Sequence, residues 1–356
     1  MTKSATAMRE KFADLATGHL VTDAPTAFID GVVSAWCEFD LPMVDCRPDG
    51  IELDAGMGVI HFRREPDGVA IVIRTASRAN TFMLRESVVS RVEAIDEALL
   101  SGLIWSELPQ AGGLPPNFRP GCVVSVSSLG SSFRRVVIRA DDLGAFSRDG
   151  LHLRLILPPH GRAPKWPAVD ETGRLRWPAG ADALHVAVYT IRHVDMGLGT
   201  LTIDVFAHGR GPTCAWLDRA GAGAPLGILG PGGGWLPDAN HLTLAGDETA
   251  LPAISRILEA APRETLGTAL VEVERAGDYP RICAPQGISV RELARSAGES
   301  LEKALATVEL GPEGGRHIWF AAEKNRANAM RSFLRNERGV HRAESYVAAY
   351  WVEKYS

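Results

Sequence analysis

Cysteine is scarce in this chain of 356 residues: there are 5, at positions 37, 46, 122, 214 and 283, and no two form a Cys-x-x-Cys pair. A scattered, odd set supports neither a disulfide framework nor a zinc knuckle, and no metal site is expected. Aromatic residues are also few, at 7%. No apolar run approaches the roughly 18 residues that span a bilayer. The N-terminal stretch MTKSATAMREKFADLATGHL lacks the apolar centre of a secretory signal. Nor does one charge dominate: 38 Lys and Arg face 43 Asp and Glu, a net of -5. That balance offers no basic surface for nucleic acid. Free thiols, no membrane span and no leader together lead us to expect a reducing cytoplasm. No internal repeat is visible, and nothing in the chain sets an oligomeric state.

What is present is a globular composition, 46% hydrophobic and 23% charged. Gly (36) and Pro (22) are in slight excess, which implies many turns and close backbone approaches rather than disorder. At about 150 residues per domain the length allows two or three domains. The charge is uneven: residues 1–114 carry 10 Lys and Arg against 17 Asp and Glu, a net of -7, which leaves +2 on the rest.

Three zones follow from periodicity. In the first, 24–39 has helical spacing, with Phe28, Val32, Ala35, Trp36 and Phe39 on one face. Short strands follow at 50–53, 58–62 and 69–75, split by turns such as Pro66-Asp67-Gly68, and then a helix over 77–100. This is a small, acidic α+β domain, 1–114, read as an accessory or dimerisation unit. Residues 108–120 (LPQAGGLPPNFRP) make a linker, because Pro and Gly deny it regular structure. The second zone, 115–237, is a series of strands at 122–126, 135–140, 151–157, 184–190, 200–206 and 226–229, without long helices between them. That pattern predicts an antiparallel β-barrel. The third, 238–356, alternates. Strands are expected at 241–245, 266–274, 317–322 and 346–352, and helices at 250–261, 290–306 and 325–338. Alternation predicts an α/β domain with a parallel sheet, whose ligands bind at the strands' carboxyl ends.

Four stretches could carry chemistry. Tyr189-Thr190-Ile191-Arg192 presents a ring, a hydroxyl and a cation, which suits a flavin and its diphosphate; spacing alone reads more simply as barrel edge with Arg192 in solvent. His208-Gly209-Arg210-Gly211-Pro212-Thr213-Cys214-Ala215-Trp216 reads as a strand end followed by a helix whose first amides could meet a phosphate, or as an ordinary Gly-Pro helix start. Gly246-Asp247-Glu248-Thr249-Ala250 lies at a strand-to-helix turn, where Asp247 could instead cap the helix. Ala322-Glu323-Lys324 is a second such turn, with Arg326 just beyond it. The run Gly230-Pro231-Gly232-Gly233-Gly234 fits no phosphate-loop pattern, since Trp235 follows it, and reads as an interdomain turn.

Together these stretches resemble the siderophore-interacting protein family of flavin-dependent ferric-siderophore reductases. The resemblance rests on Tyr189–Arg192, His208–Trp216, the string Gly246-Asp247-Glu248-Thr249-Ala250-Leu251-Pro252-Ala253-Ile254, Ala322-Glu323 and Tyr350-Trp351, with Trp177-Pro178 ahead of the first. It implies a ferredoxin-reductase-type pair of domains. FAD would lie on the Tyr189/Thr190 strand and the Gly211–Trp216 turn, with the Thr190 hydroxyl near the reactive flavin nitrogen. NADH or NADPH would lie along Gly246–Ala250 and Ala322-Glu323. Lys324 and Arg326, with Arg192, would attract an anionic ferric siderophore. Three positions depart from the family pattern: Ala187 stands for an Arg, Cys214 for a Ser, and Ala322 for a Gly. Two other functions fit the same residues. One is a ferric-chelate binding protein with weakened flavin affinity; the other is a general NAD(P)H:flavin reductase. The first zone is similar to a domain of unknown function placed ahead of such reductases, with Trp36-Cys37-Glu38-Phe39 where that domain has a His-rich helix motif.

Overall fold

The computed structural model describes residues 12–38, 43–148, 150–233 and 236–353; Phe39, Gly234 and Trp235 lie outside them. The chain forms two compact units, Met1–Phe118 with Lys165–Ala183, and Arg119–Pro164 with Leu184–Ser356.

The first unit contains β1 (Asp14–Val21), α1 (Pro25–Glu38), β2 (Met43–Arg47), β3 (Gly50–Asp54), β4 (Gly58–Glu65), β5 (Gly68–Thr75), α2 (Arg78–Ile95) and β6 (Leu103–Trp105). The strands form one antiparallel sheet in the order β2-β3-β4-β5-β1-β6. In β5, Val69, Ile71 and Ile73 alternate onto one face and are fully buried. They pack with Leu20, Phe28, Val32 and Val88 as a single core. α2 starts where Ser77 Oγ accepts the Asn80 amide. It stops at Ile95, short of the expected 100, because Asp96 begins a separate 3-10 turn over Glu97–Gly102. β1 was not expected. Its run Asp-Leu-Ala-Thr-Gly-His-Leu-Val carries little alternation, and it is held by ladders to β5 on one side and β6 on the other.

The second unit begins with β7 (Phe118–Leu129), β8 (Phe133–Ala140), α3 (Gly144–Arg148) and β9 (His152–Leu157). Next comes the short pair β10 (Ala168–Val169) and β11 (Leu175–Arg176), on the segment Lys165–Ala183. That segment lies inside the stretch 115–237 yet clusters with the first unit, where Val169 exchanges backbone hydrogen bonds with Gly112 and Gly113. β12 (His185–Thr190), β13 (His193–Asp195), β14 (Thr200–Phe206), α4 (Gly211–Leu217) and β15 (Pro225–Gly232) complete the barrel. The seven strands run β12-β9-β15-β7-β8-β14-β13. They curl round one core that draws Val136, Ile138, Leu153, Leu155, Leu201 and Ile228 from four of them.

The same unit continues with β16 (His241–Gly246), α5 (Leu251–Ala260), β17 (Leu266–Val273), β18 (Ile288–Ala294), α6 (Leu301–Ala306), β19 (Arg316–Glu323), α7 (Lys324–Asn336) and β20 (Ser345–Trp351). Their five-stranded sheet is parallel throughout, in the order β18-β17-β16-β19-β20. α5 covers one face and α6 with α7 the other, as the two apolar clusters show. The helix expected over 290–306 is corrected here. Its first part is strand β18, paired with β17; a turn at Arg295–Ala297 ends on Gly298 at φ 78, and only α6 is helical. Pairing to a sheet edge overrides the local spacing in this segment.

Phe133 of β8 is fully buried and belongs to the apolar cluster of the parallel sheet. Its ring meets Phe206 at 5.4 Å and Tyr279 at 4.7 Å. Phe133→Ala should therefore destabilise the second unit by about 3–5 kcal/mol, read as a lower urea midpoint for signals from that unit.

Candidate functional site

The register of β12 on β9 decides which way the candidate flavin strand faces. His185, Ala187 and Tyr189 stand opposite Leu157, Leu155 and Leu153, which line the barrel interior. Cross-strand partners share a face. These three therefore point inward, while Val186, Val188 and Thr190 point outward, the last beside His152. Val188 is largely exposed, an apolar side chain without cover.

Inside, His185 Nε2 lies 2.9 Å from Thr213 Oγ1, on the first turn of α4. Burial pushes the pKa of the neighbouring Tyr189 hydroxyl up. Sequence reasoning passed over His185. Its only signal was its place two residues before Ala187, on the same face. α4 has Arg210 at its N-cap and no side-chain cap. Gly209 (φ 76) and Gly211 (φ 84) both adopt the left-handed conformation, and nothing lies within 4 Å of where a Cβ would be. Open space, uncapped amides and the exposed side chains of His208 and Arg210 form a cradle whose donor set fits a diphosphate. Pro212 and Ala215 are exposed there, while Cys214 and Trp216 are buried.

Arg192 is placed otherwise. Its guanidinium grips both Glu259 carboxylate oxygens and lies 3.8 Å from Asp204. Outward, the neutral His152 donates from Nδ1 to Gly233 O at 2.8 Å, since a carbonyl can only accept, and its Nε2 accepts from the Tyr350 hydroxyl at 2.7 Å. Burial lowers the His152 pKa, in keeping with that neutral form.

The turns at the carboxyl ends of the parallel strands are filled from within. A Cβ on Gly246 would fall 2.4 Å from Ala250 Cβ, so glycine is required there for packing. Asp247 accepts the Thr249 amide at 3.0 Å and the Trp351 indole at 2.8 Å. Burial raises its pKa against those bonds. Glu248 is buried against Arg295. Glu323 caps α7 through the Asn325 and Arg326 amides. Arg326 donates to Glu272 at 2.8 and 2.9 Å and to Glu302 at 2.6 Å. Arg295 reaches Glu272 at 3.2 Å from the other side. Of the three cations expected to meet an anionic substrate, Lys324 is exposed, Arg326 is bound in this network and Arg192 is held by Glu259.

The chain is similar to known proteins over both parts of its second unit. Residues 122–235 match the siderophore-interacting FAD-binding domain, and residues 239–354 match the siderophore-interacting protein domain. The chain is 31% identical to the ferric vibriobactin reductase ViuB of Vibrio cholerae over 229 residues, 61% of this chain and 83% of that protein. It is 25% identical to the ferric acinetobactin reductase of Acinetobacter baumannii over 173 residues, 46% of this chain and 59% of that protein. Among solved structures, a siderophore utilization protein from T. fusca superposes with a TM-score of 0.60 at 31% identity, covering 69% of this chain and 97% of that one. The siderophore-interacting protein SipS from Aeromonas hydrophila gives 0.57 at 26% identity, covering 67% and 93%.

The carboxylate network yields a pH-dependent expectation. Burial alone would raise the Glu272 pKa, but hydrogen bonds from Arg326, the Leu301 amide and Arg295 outweigh it and hold it below the ordinary 4.5. A depressed carboxylate supplies stability that is complete above the unfolded value and is lost as pH falls through the folded one. Glu272→Gln should cost about 2–3 kcal/mol at neutral pH, on the low side because both guanidinia reach solvent. Urea melts of both proteins should converge as the pH drops below 4.5.

Proposed function

The chain belongs to the siderophore-interacting protein family, and on that premise we propose that it reduces ferric siderophores with electrons from NADH or NADPH passed through FAD, releasing Fe(II). The observation that carries this reading is the cradle on β12 and α4: left-handed glycines, uncapped amides and an aromatic strand. Tyr189, Thr190 and the Gly209–Trp216 turn would hold the cofactor. Bound FAD supplies the coupling between a two-electron hydride and a one-electron Fe(III) acceptor. The chain's own part is to bind and orient. The α4 amides would meet the diphosphate, and Thr190, buried on the outward side beside His152, would turn its hydroxyl to the flavin. Hard oxygen ligands hold Fe(III) firmly and Fe(II) poorly, so reduction frees the metal. Lys324 and the exposed Arg154, opposite Val188, supply positive charge for an anionic chelate. In this reading 115–237 serves the flavin, 238–356 the nicotinamide, and 1–114 is an accessory domain.

Ala187 and the pairing of Arg192 with Glu259 favour a second reading, in which flavin is held loosely and the protein mainly binds ferric chelates. One titration separates the two. Apoprotein is titrated with FAD by fluorescence quenching, then supplied with NADH or NADPH, a ferric siderophore and a ferrous-trapping chelator. Flavin uptake with trapped Fe(II) is expected. Ala187→Arg should tighten FAD roughly 10–100-fold by restoring a charged contact. Flavin reduction without trapped Fe(II) would overturn the substrate, and no flavin uptake by either form would overturn the cofactor.

A further inference from the structure

Three side chains of metal-ligand type meet at one end of the sheet in the first unit. His19 is on β1, Glu65 closes β4, and Asp67 lies in the turn between β4 and β5. β1 runs antiparallel to β5 with Val21 opposite Gly68, which brings that turn against the His19 ring. Gly68 permits the approach: at φ 154, a Cβ would fall 2.0 Å from Leu20 O and 3.1 Å from His19 Cε1.

His19 Nε2 stands 3.4 Å from Asp67 Oδ1 and 3.5 Å from Glu65 Oε2. The donor atoms of the three residues all lie within 4.8 Å of one another. Both separations exceed the roughly 2.7–3.2 Å of an N–H···O hydrogen bond. The His19 side chain is 28% exposed, but this nitrogen faces the carboxylates, is itself shielded from solvent and has no hydrogen-bond partner. A buried imidazole nitrogen left without a partner is costly. Two carboxylate oxygens facing it at nearly equal distance can satisfy it by sharing a cation. Donors about 2.1 Å from one ion stand about 3.4 Å apart at a tetrahedral angle. Arg63 holds the other Glu65 oxygen, Oε1, at 2.6 Å, which turns Oε2 toward the histidine.

We propose that His19, Glu65 and Asp67 bind a divalent first-row transition-metal ion. One imidazole with two carboxylates suits Fe(II), Mn(II), Co(II) or Zn(II), whereas Ca(II) takes oxygen ligands alone. Three protein ligands leave positions open to water, and Asp67 is 78% exposed, so the ion exchanges with solvent. Fe(II) freed from a reduced chelate is one such ion; that link rests on the reductase reading, while the site itself does not. No linear pattern announces it, because positions 19, 65 and 67 come from separate strands and a turn.

The test is Co(II) titration of the full-length protein after metal removal, following the visible d–d bands. One equivalent with those bands is expected, displaced by Fe(II) under anoxic conditions. His19→Ala should abolish it, and Asp67→Asn should weaken it at least about tenfold. Asp67 is at the surface, so its variant should melt like the metal-free wild type yet lose the rise in melting temperature that Co(II) gives the wild type. No Co(II) uptake, or uptake unchanged in both variants, would overturn the proposal. Flavin uptake has its own absorption, so failure of the reductase reading and failure of this site are seen separately.

Discussion

Phe133 belongs to the barrel by sequence and to the parallel sheet by packing, and the geometry of the second unit depends on that one insertion. Its ring lies between Phe206 and Tyr279 and is fully buried with Leu242, Leu244 and Ile254. Buried aromatic area is the largest single source of such cohesion. Beside it runs a polar counterpart. Asp204, also buried, is held by Arg135 Nε and Nη2 at 2.7 and 2.8 Å and by the Tyr279 hydroxyl at 2.9 Å. Burial and the Asp204 charge push that hydroxyl's pKa up to about 12, so it remains a donor at ordinary pH. With the two sheets joined, His152 of β9 finds Tyr350 of β20.

The three places where a nucleotide fold offers amides to phosphate differ in how those amides are satisfied. On α4 the amides are uncapped and the glycines leave room. At the carboxyl ends of β16 and β19, Asp247 and Glu323 take the amides themselves. Clustered carboxylates in a partly buried setting would repel one another and any phosphate. Arg295 and Arg326 neutralise Glu248, Glu272 and Glu302, and in doing so they are removed from the pool of cations that could meet a ligand. The helix start left without a side-chain cap in this comparison is therefore the one on the barrel side.

Much of the fold could be read from pattern. The alternation of Leu151-His152-Leu153-Arg154-Leu155 located β9 and put Leu153 and Leu155 in the barrel core, while Leu151 precedes the strand and packs with the parallel sheet. The strand-to-helix turn at Gly246 was equally clear. β18 and β1 were not, since each is held by backbone ladders to neighbours that lie far off in sequence. The candidate site was legible in part. Asp247 was weighed as a cap, and it is one. The pairing of Arg192 with Glu259 and of Arg326 with Glu272 was invisible, because an arginine's partner across a fold leaves no local trace.

The sequence by itself determined the order of the parts: an acidic α+β zone, a run of strands, then alternating strands and helices. It also determined where glycine must stand, because positive φ and close backbone approach exclude a Cβ at any such position. Only the tertiary structure decided which charges are spent and which are free. Ion pairing depends on distance and burial, and both are set by packing between strands that the sequence lists far apart. His19, Glu65 and Asp67 show the same limit: each is unremarked in its own segment, and the antiparallel register of β1 on β5 makes them neighbours.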